Sequence, residues 1–447
     1  MISWGKTSTP FGEDVLRYLT DSFGFSVFSP EDYPEKRKSF LDLELRLTRP
    51  GDEKKKKILK GLPTYIVQDT RIYDSTMLKH VEALREECGS DDQMRERLEW
   101  MYENLSPTLE DDTSIGPRFG ASEHDPNRLL QKLKGTMRFA NDCGAPYICV
   151  AQRKSSYEWS HNHTKKMERD NIWEMPALKM MIDEFAANEL KGLIWLHPHA
   201  PNEATRYCAR KNMHFMNLNP QGKTKINDRK YDLVEYFREM GIQLDEDQLF
   251  PFDHYLSQHQ EGLYRPDRCF VIAPDEGAHK NVVQFAQRHS LTPLLSLKVR
   301  KDEGVTYSEP GGDISGWLKE FISLKPDAVI TFIILDDKIN TGGTACEEAV
   351  KRMGMVDAFN KEYGTRFTTR TELWCTHLRM PYLNLLKHED LDQLVFMNTV
   401  PYIPPLEEQL KKKGILHKTV LLGGADYNIA AGIALDYQEY GRHSVSQ

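Results

Sequence analysis

Seven short apolar runs recur along the chain, each bounded by polar or turn residues, and most run into a stretch with helical periodicity. "PTYIVQ" (63–68) leads into "STMLKHVEALREE", and "APYICVAQ" (145–152) and "KGLIWLHPH" (191–199) bracket "PALKMMIDEFAANE". "RCFVIAP" (268–274), "PDAVITFIIL" (326–335) and "TELWCTH" (371–377) precede "NVVQFAQRH", "ACEEAVKRMG" and "MPYLNLLKHE", and "DQLVFMNTV" (392–400) comes last. Strands that alternate with helices predict parallel α/β sheets. In the helix expected from Pro176, Leu178, Met181, Ile182 and Phe185 recur at i, i+3, i+4, i+7, which predicts one buried face. At 447 residues the chain has room for two or three domains with their own cores.

Composition narrows the functional classes. Hydrophobic residues are 39% and charged residues 28%, a globular balance. No run approaches the roughly 18–20 apolar residues of a membrane helix. The start "MISWGKTSTPFGEDVL" lacks the basic-then-apolar pattern of a secretion signal. Seven cysteines (Cys88, Cys143, Cys149, Cys208, Cys269, Cys346, Cys375) are scattered and include no C-x-x-C pair. They read as reduced thiols, so a cytoplasmic protein is expected. The net charge of −8 disfavours nucleic acid as a partner, and the runs Lys54–Lys57 and Lys411–Lys413 read as solvated surface. Residues 89–135 and 218–262 are polar and look like added material.

The chemistry concentrates in "VITFIILDDKINTGGTACEEAV" (329–350), an apolar strand, two aspartates, a glycine pair between threonines, and a helix. Ligands of open α/β sheets sit at the carboxyl ends of strands, where Asp336 and Asp337 are expected. Glycines let backbone N–H groups turn around an anion, and the helix dipole adds to the attraction. Thr341, Gly342, Gly343 and Thr344 would therefore suit a phosphate, and the two acids would accept from sugar hydroxyls. The alternative, a solvated turn with two capping acids, does not account for strand, acid pair and TGGT occurring in that order.

"IILDDKINTGGT" resembles the ribose-phosphate loop of type I phosphoribosyltransferases and of the related ribose-phosphate pyrophosphokinases (PRPP synthetases). Further stretches resemble the pyrophosphokinases. "SFLDLELRL" matches an ATP-binding strand through Phe40, Asp42 and Glu44, and "LPTYIVQDTRIYDSTMLKHVEAL" matches the following strand, turn and helix, with Asp74 and Leu78 in place. "LHPHA" resembles a metal-site strand end, with His199 at the ligand position and His197 where the family has an aspartate. "IAPDEGAHKNVVQFAQ" places Asp275 at a second metal position, and Gly277 allows close backbone approach. "LSLKVRKDEGVT" offers Lys298 and Arg300 at the start of a polar loop (301–316) that resembles a flexible catalytic loop. As a bare motif K-x-R is usually surface decoration; its place between Asp275 and the phosphate loop gives it weight. "WCTHL", "MNTVPY" and the closing "SVS" also have family counterparts, so the resemblance runs in order from about residue 10 to the end.

The resemblance implies two tandem phosphoribosyltransferase-like α/β domains, 1–205 and 206–447, divided near residues 203–210. An insertion falls at about 89–135, and the terminal helix is expected to return to the first domain. It also implies a homo-oligomer, ATP and a ribose-phosphate acceptor as partners, and Mg2+ held by His199 and Asp275, with His197. The implied reaction moves the diphosphoryl group of ATP to the anomeric hydroxyl of ribose 5-phosphate, and Lys298 and Arg300 stabilise the moving oxygens.

Three departures qualify this reading. "AQRK" stands where the family's Arg-Gln-Asp ATP motif belongs, which leaves Gln152 and Arg153 as substitutes. A two-histidine site would suit a softer ion, while a hydrogen-bonded strand end is the plainer reading of His197 and His199. A zinc site joining them to His161 and His163 rests on spacings that are common by chance. Asn340 replaces a carboxylate of the phosphate loop, which lessens repulsion toward a diphosphate and admits a larger acceptor such as ADP-ribose, a substrate of NAD metabolism. Two other readings remain: a non-catalytic regulatory partner of an active synthetase, and a phosphoribosyltransferase.

Overall fold

The computed structural model describes residues 2–5, 10–25, 27–28, 63–68, 133–135, 137–138, 140–142, 144–152, 177–220, 223–295, 297–301, 304–308, 316, 318–319, 328–339, 343–378, 391–397, 399 and 419–444. They form two α/β units. The first comprises residues 1–219, 223–249 and 425–447, and the second comprises residues 220–222 and 250–424. Among the described residues, no helix is long and apolar enough to cross a membrane, and the cysteines are buried and form no disulfide.

The first unit is built on strands β1 (Ile2–Gly5), β2 (Val27–Phe28), β3 (Thr64–Gln68), β4 (Ile148–Gln152), β5 (Gly192–Leu196), β6 (His214–Leu218), β7 (Thr224–Ile226) and β8 (Arg229–Tyr231). They lie in the order β2-β1-β3-β4-β5-β6-β7-β8, parallel as far as β6 and antiparallel in the final hairpin. Its helices are α1 (Pro10–Asp21), α2 (Ala177–Ala187), α3 (Pro201–Ala209), α4 (Leu233–Glu239) and α5 (Glu246–Leu249). Leu178, Met181, Ile182 and Phe185 of α2 are buried in a core with Val150, Leu193, Trp195 and Phe215, the face that the spacing predicts.

Residue 205, the expected boundary, falls inside α3. The sheet continues past it because β6 pairs with β5 along its length and β7 and β8 extend the edge. Much of the stretch 218–262 is therefore regular structure.

The chain returns to this unit with α9 (Ala425–Asp436), all twelve residues of which are buried. A helix covered on every side is a core element. Tyr427 packs edge-on to Tyr18 of α1, with ring centroids 5.1 Å apart. Asn428 Nδ2 donates to the carbonyls of Gln248 and Leu249 at 3.1 Å and so satisfies the open end of α5. The helix ends at Asp436, which is 0% exposed and accepts hydrogen bonds from the hydroxyls of Tyr65 and Tyr147 and pairs with His214. This cluster requires glycine at 192, since a Cβ there would lie 2.4 Å from His214 Nε2 and 2.8 Å from the Tyr147 hydroxyl. Gly192→Ala is expected to destabilise the fold by about 1–3 kcal/mol, the usual cost of overpacking. Chemical denaturation monitored by circular dichroism measures it.

The second unit has strands β9 (Cys269–Ala273), β10 (Thr292–Leu295), β13 (Val329–Ile339), β14 (Thr368–Leu378), β15 (Gln393–Met397) and β16 (Thr419–Leu422) in one parallel sheet, in the order β10-β9-β13-β14-β15-β16. Strands β11 (Leu297–Lys301) and β12 (Gly304–Ser308) form a separate antiparallel hairpin. The helices are α6 (Pro251–His259), α7 (His279–Arg288) and α8 (Gly343–Tyr363). Ile330, Phe332 and Ile334 of β13 share one core with Phe270, Ile272, Leu373, Cys375 and the inner face of α8, the period-2 alternation of a sheet face. Trp374 collects Tyr255, Tyr264 and Phe285 around it, with ring centroids 5.5, 5.5 and 6.0 Å away.

Candidate functional site

In the second sheet, β10 lies on one side of β9 and β13 on the other. The chain therefore changes direction across the sheet between β9 and β13. Open α/β sheets bind ligands at such a switch point, beyond the carboxyl ends of the strands. Asp275 follows β9, and Asp336 and Asp337 lie on β13. The strand does not stop before the acid pair, as its apolar run suggests, but continues to Ile339 because Asp336, Lys338 and Ile339 pair with Cys375, His377 and Leu378 of β14. The acids are thus held by ladder hydrogen bonds rather than carried on a loop.

Both acids are half-buried. The Asp337 N–H donates to Asp336 Oδ1 at 2.8 Å. Burial, then the charges of Asp337 and Asp275, push the Asp336 carboxyl well above the ordinary carboxylate range. Three carboxyl groups therefore share one end of the sheet, a cluster of hard oxygen donors. That donor set fits a magnesium ion. Asp275 also serves the backbone: its Oδ1 accepts from the Ala278 N–H at 3.2 Å, at the start of α7, and a Cβ at Gly277 would stand 3.1 Å from the same oxygen.

Beyond β13 the chain enters α8 at Gly343, so Gly343 and Thr344 open a 21-residue helix. Asn340, Thr341 and Gly342 lie outside the described residues. Lys298 and Arg300 stand two residues apart on β11, opposite Tyr307 and Val305 of β12. The sequence predicts a polar loop after Arg300; the chain instead turns back as a hairpin, because "GVTYS" alternates well enough to pair with "LKVRK".

Of two residues near the acids, Lys338 was not singled out in the sequence and His377 was noted only within "WCTHL". Lys338 is 7% exposed, two positions beyond Asp336, and it is in register with His377, which is 0% exposed and bonds through Nδ1 to Thr399 Oγ1 at 2.9 Å. A lysine directly after an acid pair at the end of an apolar strand is the signal that would have flagged the first.

The remaining expected residues belong to the first unit. Gln152 ends β4, and His197 and His199 follow β5. His197 is 3% exposed and has a left-handed backbone at φ 45°; its N–H donates to the Leu218 carbonyl at 2.6 Å. That conformation is uncommon for a residue with a Cβ and recurs at ligand sites. His199 is half-buried. These residues end strands β4 and β5, whereas the switch point of this sheet lies between β1 and β3. Phe40, Asp42, Glu44, Arg153, His161, His163, Asp74 and Leu78 lie outside the described residues.

No protein-family model matches the chain, and no curated protein matches it in sequence. Among solved structures, phosphoribosylpyrophosphate synthetase from Mycobacterium smegmatis superposes with a TM-score of 0.51 over 99% of both chains, at 12% identity. Adenine phosphoribosyltransferase from Saccharomyces cerevisiae matches 36% of this chain and 81% of its own, with a TM-score of 0.19 and 16% identity. An NAD+-bound 3-phosphoglycerate dehydrogenase from Entamoeba histolytica matches 70% and 83%, with a TM-score of 0.25 and 12% identity. The first of these likenesses shows the fold, a pair of mostly parallel α/β units.

Proposed function

We propose that the chain is a diphosphoryl transferase that uses ATP to diphosphorylate the anomeric hydroxyl of ribose 5-phosphate, giving PRPP and AMP. The observation that supports it is the acid cluster of Asp275, Asp336 and Asp337 at the switch point of the second sheet, with Gly343 at the N-terminus of α8 a few residues further along the chain. Asp336 and Asp337 accept from the ribose hydroxyls. Asn340, Thr341, Gly342, Gly343 and Thr344 hold the 5-phosphate through the loop and the helix dipole. The anomeric oxygen bonds to the β-phosphorus, the bond from that phosphorus to the bridging oxygen breaks, and its electrons leave with AMP. The hydroxyl proton passes to solvent, and positioning of the two reactants lowers the barrier. Lys298 and Arg300 stabilise charge on the transferred oxygens. Phe40, Asp42, Glu44, Gln152 and Arg153 bind the nucleotide. Asp275, beside the acid pair, would hold Mg2+, which when bound neutralises phosphate charge.

Asn340 favours a second reading. Without a carboxylate at that position, a diphosphate meets less repulsion, which suits ADP-ribose as acceptor. The purified chain, incubated with ATP, magnesium and either acceptor, separates the readings by product mass. AMP with PRPP supports ribose 5-phosphate; AMP formed only with ADP-ribose supports the larger acceptor. AMP in neither incubation removes the diphosphoryl transferase and leaves the non-catalytic partner and the phosphoribosyltransferase.

A further inference from the structure

The first unit contains a buried group that diphosphoryl transfer does not use. Cys149 on β4, His214 on β6 and Asp436 at the end of α9 bring a thiol sulfur, an imidazole nitrogen and a carboxylate oxygen within 4.8 Å of one another, and all three residues are buried. Asp436 is oriented by its surroundings. Its Oδ1 accepts from the Tyr65 and Tyr147 hydroxyls at 2.8 and 2.6 Å, which leaves Oδ2 to face His214 Nε2 at 2.5 Å. A π-helical turn, Tyr437–Gly441, follows at once and lays Tyr440 over the imidazole, with centroids 3.9 Å apart and planes 6° from parallel. Such turns recur at functional positions. Gly192 and Gly441 make room for the cluster, since a Cβ at Gly441 would stand 2.8 Å from the Tyr65 hydroxyl. A cavity of about 690 Å³ borders it, lined in part by Tyr147, His214 and Tyr440, and carrying the exposed Lys191 and His443.

We propose that Cys149, His214 and Asp436 form a site for a zinc-class dication, with Tyr65 and Tyr147 as outer partners that aim the carboxylate. Sulfur, nitrogen and oxygen together are a donor set zinc accepts, and the sulfur excludes magnesium and calcium as natural occupants. Hydroxyls bonded to a ligating carboxylate fix its orientation. Charge balance supports exchange of the ion for the thiol proton. Without an ion, burial and then the Asp436 charge hold the Cys149 thiol up, so it keeps its proton. A dication would displace that proton to solvent. Thiolate, carboxylate, neutral imidazole and dication then sum to zero, so the buried ion leaves no uncompensated charge. The cavity beside His214 and Tyr147 offers the ion a path. Three distant segments supply the ligands, which is why no short spacing in the sequence announces them.

Cobalt titration of the chelator-treated full-length chain tests the proposal. The expected result is one cobalt per chain, a thiolate-to-cobalt absorption band in the near ultraviolet, and displacement by zinc. Cys149→Ser should remove the band and weaken zinc binding by about 100-fold or more, well beyond the loss typical of an outer partner. No band in the wild-type chain, or an unchanged band in Cys149→Ser, overturns the site. Should that variant fail to fold, X-ray absorption of the zinc-loaded wild-type chain decides. A shell of one sulfur with nitrogen and oxygen neighbours supports the site, and a shell without sulfur or with two sulfurs sinks it.

Discussion

Lys298→Ala is expected to lower turnover by about 10²–10³-fold, the usual loss when one stabilising group is taken from a developing charge, while the dissociation constant for ATP changes by less than about 3-fold. The argument runs from charge to geometry. In diphosphoryl transfer the protein does little covalent chemistry, so cations that meet the moving oxygens act on the barrier rather than on the bound ground state. Lys298 and Arg300 lie on a two-stranded hairpin separate from the six-stranded sheet. A two-stranded hairpin is marginally stable by itself, which suits a segment that orders over a substrate. Arg300→Ala should behave similarly, and the double variant should lose little more than the worse single, because groups acting as a unit are not additive. Single-turnover kinetics with equilibrium nucleotide binding make the measurement. Equal losses in turnover and affinity, or none, would remove both residues from the reaction.

Asp336→Asn should weaken the acceptor and strengthen the fold. Loss of a charged acceptor to a sugar hydroxyl is expected to raise the KM for the ribose-phosphate about 10- to 100-fold. Stability moves the other way. The folded protein holds the Asp336 proton more tightly than the unfolded chain, because burial and then Asp337 and Asp275 disfavour the ionised form. The contribution of this group is therefore fully present below the ordinary carboxylate range and is lost as pH rises through the raised folded value. Above the ordinary carboxylate range the wild-type chain bears a growing part of that cost, and asparagine bears none. The variant should unfold at higher temperature at neutral pH, by a margin on the order of 1 kcal/mol, and the two proteins should converge as pH falls into the range of ordinary carboxylates. Thermal melts across that range check it. A variant less stable than wild type at neutral pH would mean that the acid cluster is not a site of stored electrostatic strain.

Much of the second unit was legible. The runs at 268–274, 326–335, 371–377 and 392–400 overlap strands β9, β13, β14 and β15, because a strand buried on both faces reads as a continuous apolar run. The acid pair and glycines could be read because strand, carboxylates, turn and helix are adjacent in the chain. The end of β13 could not. Asp336, Asp337 and Lys338 lower the local apolar content, and only pairing with Cys375 and His377 keeps that stretch extended. The hairpin of β11 and β12 was missed for a similar reason, since charged side chains on a short ribbon resemble a loop.

By itself the sequence determined the class of fold, the buried face of α2 and the order of the acid pair, the glycine turn and α8, all of which depend on periodicity or on residues close together in the chain. Only the tertiary structure decided that the first unit runs past residue 205, that α9 is buried on every side as a core helix, and that Cys149, His214 and Asp436 meet. Local patterns specify which way a side chain faces along its own element. Which distant elements become neighbours is decided by sheet order and by the packing of whole surfaces, and no short stretch of residues encodes either.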